Sequence, residues 1–253
     1  MRADYKSILG ALAAVLVSTS MAAAAEVKLI SVGGVKVALD NIVADYTKAS
    51  GNTVNYTVGS PLAVSQKLAA GEVFDVVVQA APAMDDYAKL GGLKADTRIK
   101  VARGGIGMAV SPEAVPPDIA TPAAFKKVLM DAKSIAMTDT AMPNGSGGLT
   151  QAIFESSGVM DAIKPKIKVV GLDPGQQQIA KGEIEIGFFN ISEIRPFVKF
   201  GGPVPAPLQQ YTNYDAAVTA KTTEPDAAAA LVKMIASAPA QVRWTAAGLE
   251  PMR

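Results

Sequence analysis

From Val27 onward short β-rich runs alternate with stretches of helical periodicity, and that alternation confines the chain to α/β architecture built on largely parallel sheets. Val27 to Ser31 reads as a strand. Gly33-Gly34 turns it into a helix in which Leu39, Ile42, Val43 and Tyr46 recur at helical spacing, with Ser50-Gly51-Asn52 as the stop. Thr53 to Val58 is a second strand, Pro61 opens a helix that ends near Gly71, and Phe74 to Val78 is apolar enough for a central parallel strand buried on both faces. After a helix around Met84 to Leu90, the pattern predicts two extended stretches, Arg98 to Val101 and Gly105 to Val110. Past the Pro-rich loop 111–117 the alternation restarts: helix 122–131, strand Ile135 to Thr138, helix Gly148 to Ser156, strand Ile167 to Val170, helix 175–181, strand Ile184 to Phe189. The Gly/Pro run 201–207 punctuates the end of this second unit. Tyr211 to Ala220 reads as an extended return crossing, and two helices, Pro225 to Ala236 and Pro239 to Ala247, close the chain.

Ahead of this pattern stand Arg2 and Lys6, an apolar run from Ile8 to Val17, and Ala23-Ala24-Ala25 before Glu26. A basic head, a short apolar stretch and an A-x-A site form a signal peptide, too short to span a bilayer. Cleavage is expected after Ala25, placing a soluble product in the periplasm. The expected organisation is a leader over 1–25, one lobe from 26–102 with 211–253, and a second lobe from 103–210. Each lobe is a mostly parallel sheet flanked by helices, with a ligand cleft between them.

Export makes the missing residue types informative. The chain has no Cys and no His, which removes disulfides, metal sites built on imidazole or thiolate, and Ser-His-Asp or Cys-His catalysis. No metal and no cofactor is expected. Losing Arg2, Lys6 and Asp4 with the leader, from 24 basic and 23 acidic residues, leaves the two signs equal. With no basic block or aromatic-basic interleaving, nothing supports nucleic-acid binding. An aromatic content of 6% argues for a small polar or charged ligand rather than a stacked sugar. The chain is expected to act as a monomer.

Open α/β sheets present the C-terminal ends of their strands to a crevice where helix starts aim backbone N–H groups at an anion, so the strand-to-helix junctions are the candidate site. The first, Ser31 to Lys36, offers Gly34 for close backbone approach and Lys36 in a first turn that disfavours a cation, either against an anion or turned into water. The second offers Ser60, a helix cap with or without a ligand, and the third Gln79 at the end of the most buried strand. The fourth, Thr138 to Gly148, is a nest of small residues in which Thr138, Ser146 and Gly147 are the candidate contacts. It lacks the phosphate-loop and dinucleotide fingerprints. Gln176 and Asn190 complete the set from the fifth and sixth junctions.

Taken in order, the segments Val27 to Lys48, Gly59-Ser60, Phe74 to Val78 and Gly182 to Phe188 resemble the periplasmic molybdate-binding proteins of ABC importers, a branch of the type II solute-binding fold. The resemblance spans 26–253 and implies a two-lobed receptor of a small anion, partnered by an inner-membrane ABC permease. The ligand positions depart from the molybdate pattern. Gly34 stands where a Ser is usual, Ser60-Pro61 replaces a Ser-rich turn, and Asn190 stands where a Tyr is usual, which removes donors for a tetrahedral oxyanion. Later motifs, Pro143 to Gly147, Ile191-Ser192-Glu193-Ile194, Gly202 to Thr212 and Gly248-Leu249-Glu250-Pro251, are similar to a side branch that includes exported aconitate isomerase. That resemblance implies a second function, a cofactor-independent allylic proton shift between trans- and cis-aconitate. Without His its base is Asp, Glu, Lys or Tyr, and Lys36, Asp139 and Glu193 are the candidates.

Overall fold

A computed structural model describes residues 24–141, 143, 145–194 and 197–252. Apart from Ala24 and Ala25, the expected signal peptide lies outside the described residues. Lobe 1 begins β1 (Glu26–Val32), α1 (Lys36–Ser50), β2 (Thr53–Gly59), α2 (Pro61–Ala69), β3 (Val76–Ala80), α3 (Ala81–Lys89). The chain then crosses on β4 (Ile99–Val110). Lobe 2 follows with α4 (Pro122–Asp131), β5 (Ile135–Met137), α5 (Ser146–Ser157), α6 (Met160–Ile163), β6 (Ile167–Val169), α7 (Leu172–Ala180), β7 (Ile186–Asn190) and β8 (Lys199–Pro203). It returns on β9 (Tyr211–Val218) and ends with α8 (Pro225–Ile235), α9 (Ala238–Ala246) and β10 (Glu250–Pro251).

The strands run in the order β2-β1-β3-β9-β4-β7-β5-β6, with β8 and β10 also on β4. Parallel pairing at β2-β1-β3 and at β6-β5-β7 is what the strand–helix alternation dictates, since each crossover carries a helix. The antiparallel pairs all involve β4 and β9, the strands that pass between the lobes. β3 therefore lies parallel to β1 on one side and antiparallel to β9 on the other, so the expectation of a purely parallel central strand holds for one edge only.

The two stretches expected around 98–110 are one strand. Its first half pairs with β9 as far as Gly105, and its second, from Ile106, pairs with β7. At the changeover the Gln209 side chain replaces a strand: its Oε1 accepts from Ile106 N at 2.8 Å and its Nε2 donates to Ile106 O at 2.8 Å. Gly105 makes room for this, since a Cβ there would meet Gln209 Nε2 at 3.0 Å. Two further differences have local causes. Gly201-Gly202-Pro203, expected as punctuation, belongs to β8 because β4 offers it a free ladder. Helix α7 starts at Leu172, earlier than expected, because Pro174 falls in the first turn, where its missing N–H costs nothing.

Each lobe has its own core. That of lobe 1 packs β1, β3 and β9 against Leu39, Ile42 and Tyr46 of α1 and Leu231, Ile235 and Trp244 near the C-terminus. In lobe 2, Phe188 stands edge-on between Phe125 and Phe154, with ring centroids 5.6 and 5.4 Å away. Asp75, fully buried ahead of β3, ties lobe 1 together. Its carboxylate accepts from Lys28 N at 2.8 Å, from the Thr222 hydroxyl at 2.7 Å, and from the backbone N–H groups of Thr223 and Glu224. Burial works to raise its pKa, but these four donors together hold it below the ordinary carboxylate value.

Candidate functional site

The strand ends of the two lobes face one another across a cleft of about 840 Å³. Among the sequence candidates, Gly34, Ser60, Gln79, Thr138, Asp139, Ser146, Asn190 and Glu193 line it. Leu62, Leu68, Tyr87 and Leu90 form an apolar shoulder on the lobe 1 side, and Leu172 adds one from lobe 2. Apolar walls with a few placed polar groups are what a small-molecule site needs.

Ser60 caps α2, its hydroxyl accepting from Ala63 N at 3.2 Å, and Pro61 follows at the first helical position. Gln79 closes β3 with 1% exposure. Its Nε2 donates to Ser65 Oγ at 3.4 Å, and its Oε1 is buried with no partner. From lobe 2, Ser146 opens α5 and its hydroxyl accepts from Asn190 N at 3.1 Å, fixing the end of β7 to the start of the helix. Asn190, 5% exposed, donates from Nδ2 to Glu193 Oε2 at 3.0 Å, and its Oδ1 is buried with no partner. Asp139 is exposed at the rim and accepts from Ala141 N at 2.5 Å, the turn-capping role open to it from sequence.

Three candidates are placed elsewhere. Lys36 is half-exposed and pairs with Asp40 at 2.5 Å, one helical turn away, so the misfit of a cation in a first turn is met by a local carboxylate. Gly147 lies behind the cleft wall, where a Cβ would run into the carbonyl oxygens of Thr138 and Asp139, so its role here is close backbone packing. Gln176 sits inside α7, fully buried, and donates from Nε2 to Glu193 O at 2.9 Å. It positions the loop that carries Glu193.

Of the cleft residues that sequence reasoning missed, Thr212 and Tyr214 come from β9. Tyr214 is 2% exposed and, like Thr212, lines the cleft floor. Its hydroxyl occupies the space that a side chain on Gly34 would fill: a Cβ there would lie 2.5 Å from Tyr214 Oη. Burial, with the Glu193 charge behind it, pushes the phenol well above its ordinary pKa, so Tyr214 keeps its proton and remains a donor. The signal was obscured because Tyr214 lies in the middle of β9, away from any strand-to-helix junction. The lobes also touch directly below the cleft, where the Ser192 hydroxyl donates to Gly34 O at 2.7 Å.

Among the described residues no cluster of His, Cys, Asp or Glu is arranged to hold a metal, and no helix is long and apolar enough to cross a membrane.

Residues 27–250 match the family model described as bacterial extracellular solute-binding protein. An aconitate isomerase from a Pseudomonas species is 31% identical over 255 residues, covering 96% of this chain and 95% of that one. Two solved structures share the fold at low identity. The substrate-binding domain of a putative molybdenum ABC transporter from Clostridium difficile superposes with a TM-score of 0.76 at 17% identity, over 91% of this chain and 100% of its own. The Azotobacter vinelandii periplasmic molybdate-binding protein does so with 0.75 at 19% identity, over 90% of this chain and 100% of its own.

Proposed function

The chain belongs to the bacterial extracellular solute-binding proteins, and on that premise we propose that it is a periplasmic receptor that captures a small anion, an oxyanion or a small di- or tricarboxylate, for an ABC importer. Removal of residues 1–25 would release it, and an inner-membrane permease would receive the loaded form. The observation that carries capture of a solute between the lobes is the pair of buried amides that line the cleft, Gln79 from lobe 1 and Asn190 from lobe 2, each with a side-chain oxygen that lacks a partner. A buried polar atom left unpaired costs about 1–3 kcal/mol, so two of them on residues of opposite lobes mark where a solute completes the structure. The hydroxyls of Ser60, Thr138 and Tyr214 and the start of α5 supply neutral donors that can hold an anion without an ion pair.

One observation favours a second reading. Glu193, a carboxylate, shares the cleft with Tyr214, a protonated phenol, and the relative that is 31% identical is an aconitate isomerase. In that reading Glu193 takes the proton beside a substrate carboxylate, a donor such as Tyr214 stabilises the enolate-like charge, and the proton returns at the far carbon of the allylic system. Asp139 at the rim is a lesser candidate, and Lys36 is outside the cleft.

Thermal-shift screening of molybdate, tungstate, sulfate, phosphate and di- and tricarboxylates tests the receptor, since a tight ligand raises the melting temperature by mass action. No shift with any of them counts against it. Incubation with trans-aconitate in D₂O, without metal or cofactor, separates the readings: binding without deuterium incorporation leaves a receptor, and formation of cis-aconitate establishes the isomerase.

A further inference from the structure

The two unpartnered amides differ in what they demand. Gln79 meets the Ser65 hydroxyl, which donates or accepts equally well, so the Gln79 amide can turn over and offer the cleft either its oxygen or its NH₂. Asn190 has no such freedom. Its Nδ2 donates to the Glu193 carboxylate at 3.0 Å, and a carboxylate only accepts, so turning the amide would set oxygen against oxygen. Glu193 is itself held in place, because Gln176, fully buried, donates to its backbone carbonyl at 2.9 Å. The Asn190 backbone is fixed as well, through its N–H to Ser146 Oγ. Asn190 Oδ1 is thus a buried acceptor on a residue that lines the cleft, with nothing donating to it.

A bare oxyanion or simple dicarboxylate presents only acceptors, and against this oxygen it would leave both atoms unpaired. On the floor the reverse holds, since Tyr214 keeps its proton and offers a donor. We infer that the solute carries a hydrogen-bond donor, a hydroxyl or an ammonium group beside its carboxylate, and lays that donor on Asn190 Oδ1 while its carboxylate takes the neutral donors of lobe 1 and the floor. The inference rests on the receptor reading and narrows its ligand class from small anions to small hydroxy- or amino-carboxylates, away from molybdate and sulfate.

Succinate, malate and aspartate differ in one substituent, H, OH or NH₃⁺, and so isolate the donor. Tricarballylate and citrate form a second matched pair. Dissociation constants are measured by titration calorimetry for the wild-type full chain after leader removal, with molybdate as an acceptor-only probe. The donor-bearing member of at least one set should bind about tenfold or more tightly than its partner, the penalty for leaving a buried acceptor unpaired. The malate and aspartate arms tell hydroxyl from ammonium. In Glu193→Gln the neutral amide can donate to Asn190, which frees Asn190 to turn and present NH₂, and the preference should fall to about twofold or less. If that variant does not fold, Asn190→Ala removes the acceptor with Glu193 intact and should erase the preference in the same way.

Equal binding within every set, or molybdate binding as tightly as the best carboxylate, overturns the inference and leaves the receptor standing. A preference that survives both variants overturns it too, because the donor then pairs elsewhere. If no probe binds, the receptor reading fails and this inference with it.

Discussion

Adding one methyl group at Gly34 tests whether the floor of the cleft is built as described. In Gly34→Ala the new Cβ would lie 2.5 Å from Tyr214 Oη, 3.3 Å from its Cζ and 3.6 Å from Glu193 Oε1. Ordinary contact begins near 3.5 Å, so the hydroxyl must retreat by roughly 1 Å. It has little room to do so. The ring is 2% exposed, and its Cε2 edge is close to Gly104, where a Cβ would already be 3.4 Å away. Overpacking of this kind costs about 1–3 kcal/mol. At about 2–4 °C per kcal/mol for a chain of this size, the melting temperature should fall by about 2–12 °C. Tyr214→Phe alone should cost no more than about 1 kcal/mol, the net worth of one hydroxyl's hydrogen bonding. The double variant removes the atom at 2.5 Å and leaves only the contact at 3.3 Å, so it should be more stable than the sum of the singles by about 1–2 kcal/mol. Urea denaturation of the four proteins measures this cycle. A melting temperature for Gly34→Ala within about 1 °C of wild type, or strict additivity, would refute the placement of the phenol against Gly34.

Asp75→Asn should cost about 2–4 kcal/mol at neutral pH, because an amide cannot accept from all the donors converging there. The Asp75 carboxyl is held below its ordinary pKa in the fold, so its stabilisation is complete above the unfolded value near 4 and is lost as pH falls through the lower folded value. Urea midpoints should therefore drop more steeply below about pH 4 in wild type than in Asp75→Asn, and parallel curves would contradict the assignment. Lys36→Ala, which loses an exposed pair with Asp40, should change stability by less than about 0.5 kcal/mol and solute affinity by less than about twofold; a tenfold loss in calorimetry would return Lys36 to the site. Phe188→Ala removes the central ring of the lobe 2 aromatic cluster and should cost about 3–5 kcal/mol by chemical denaturation.

Periodicity made the architecture legible. Leu39, Ile42 and Tyr46 on α1 and the fully buried β3 follow the pattern that places them. The Ser60 cap was legible for a similar reason, since Ser followed by Pro fixes both a cap and a first turn. What the pattern could not reveal was tertiary. β8 exists because β4 has a free edge, and Tyr214 reaches the cleft because β9 crosses between the lobes. Lys36 and Gln176 read as ligand contacts by position along the chain. One meets Asp40 a turn away, and the other is drawn inward to the Glu193 carbonyl. A junction rule locates the residues near a site and says nothing about which way each side chain turns.

The polarity of the cleft bears on how binding would become closure. Tyr214, a retained proton on the floor, belongs to the lobe 1 core, and so does the wall that carries Ser60 and Gln79. Asn190 Oδ1 and Glu193 belong to lobe 2. A solute satisfied by one wall alone gives the lobes no reason to approach, since a ligand shifts a conformational equilibrium only by its difference in affinity for the two states. A molecule with an acceptor at one end and a donor at the other spends its hydrogen bonds on both walls, and it can do so only when the walls are close. The opposition suits a receptor of a donor-bearing solute better than an isomerase, because ionised aconitate carries acceptors only and would leave Asn190 Oδ1 unpaired. What divides the two is whether the Glu193 oxygen not engaged by Asn190 reaches a C–H bond of that solute, and deuterium exchange reads this directly.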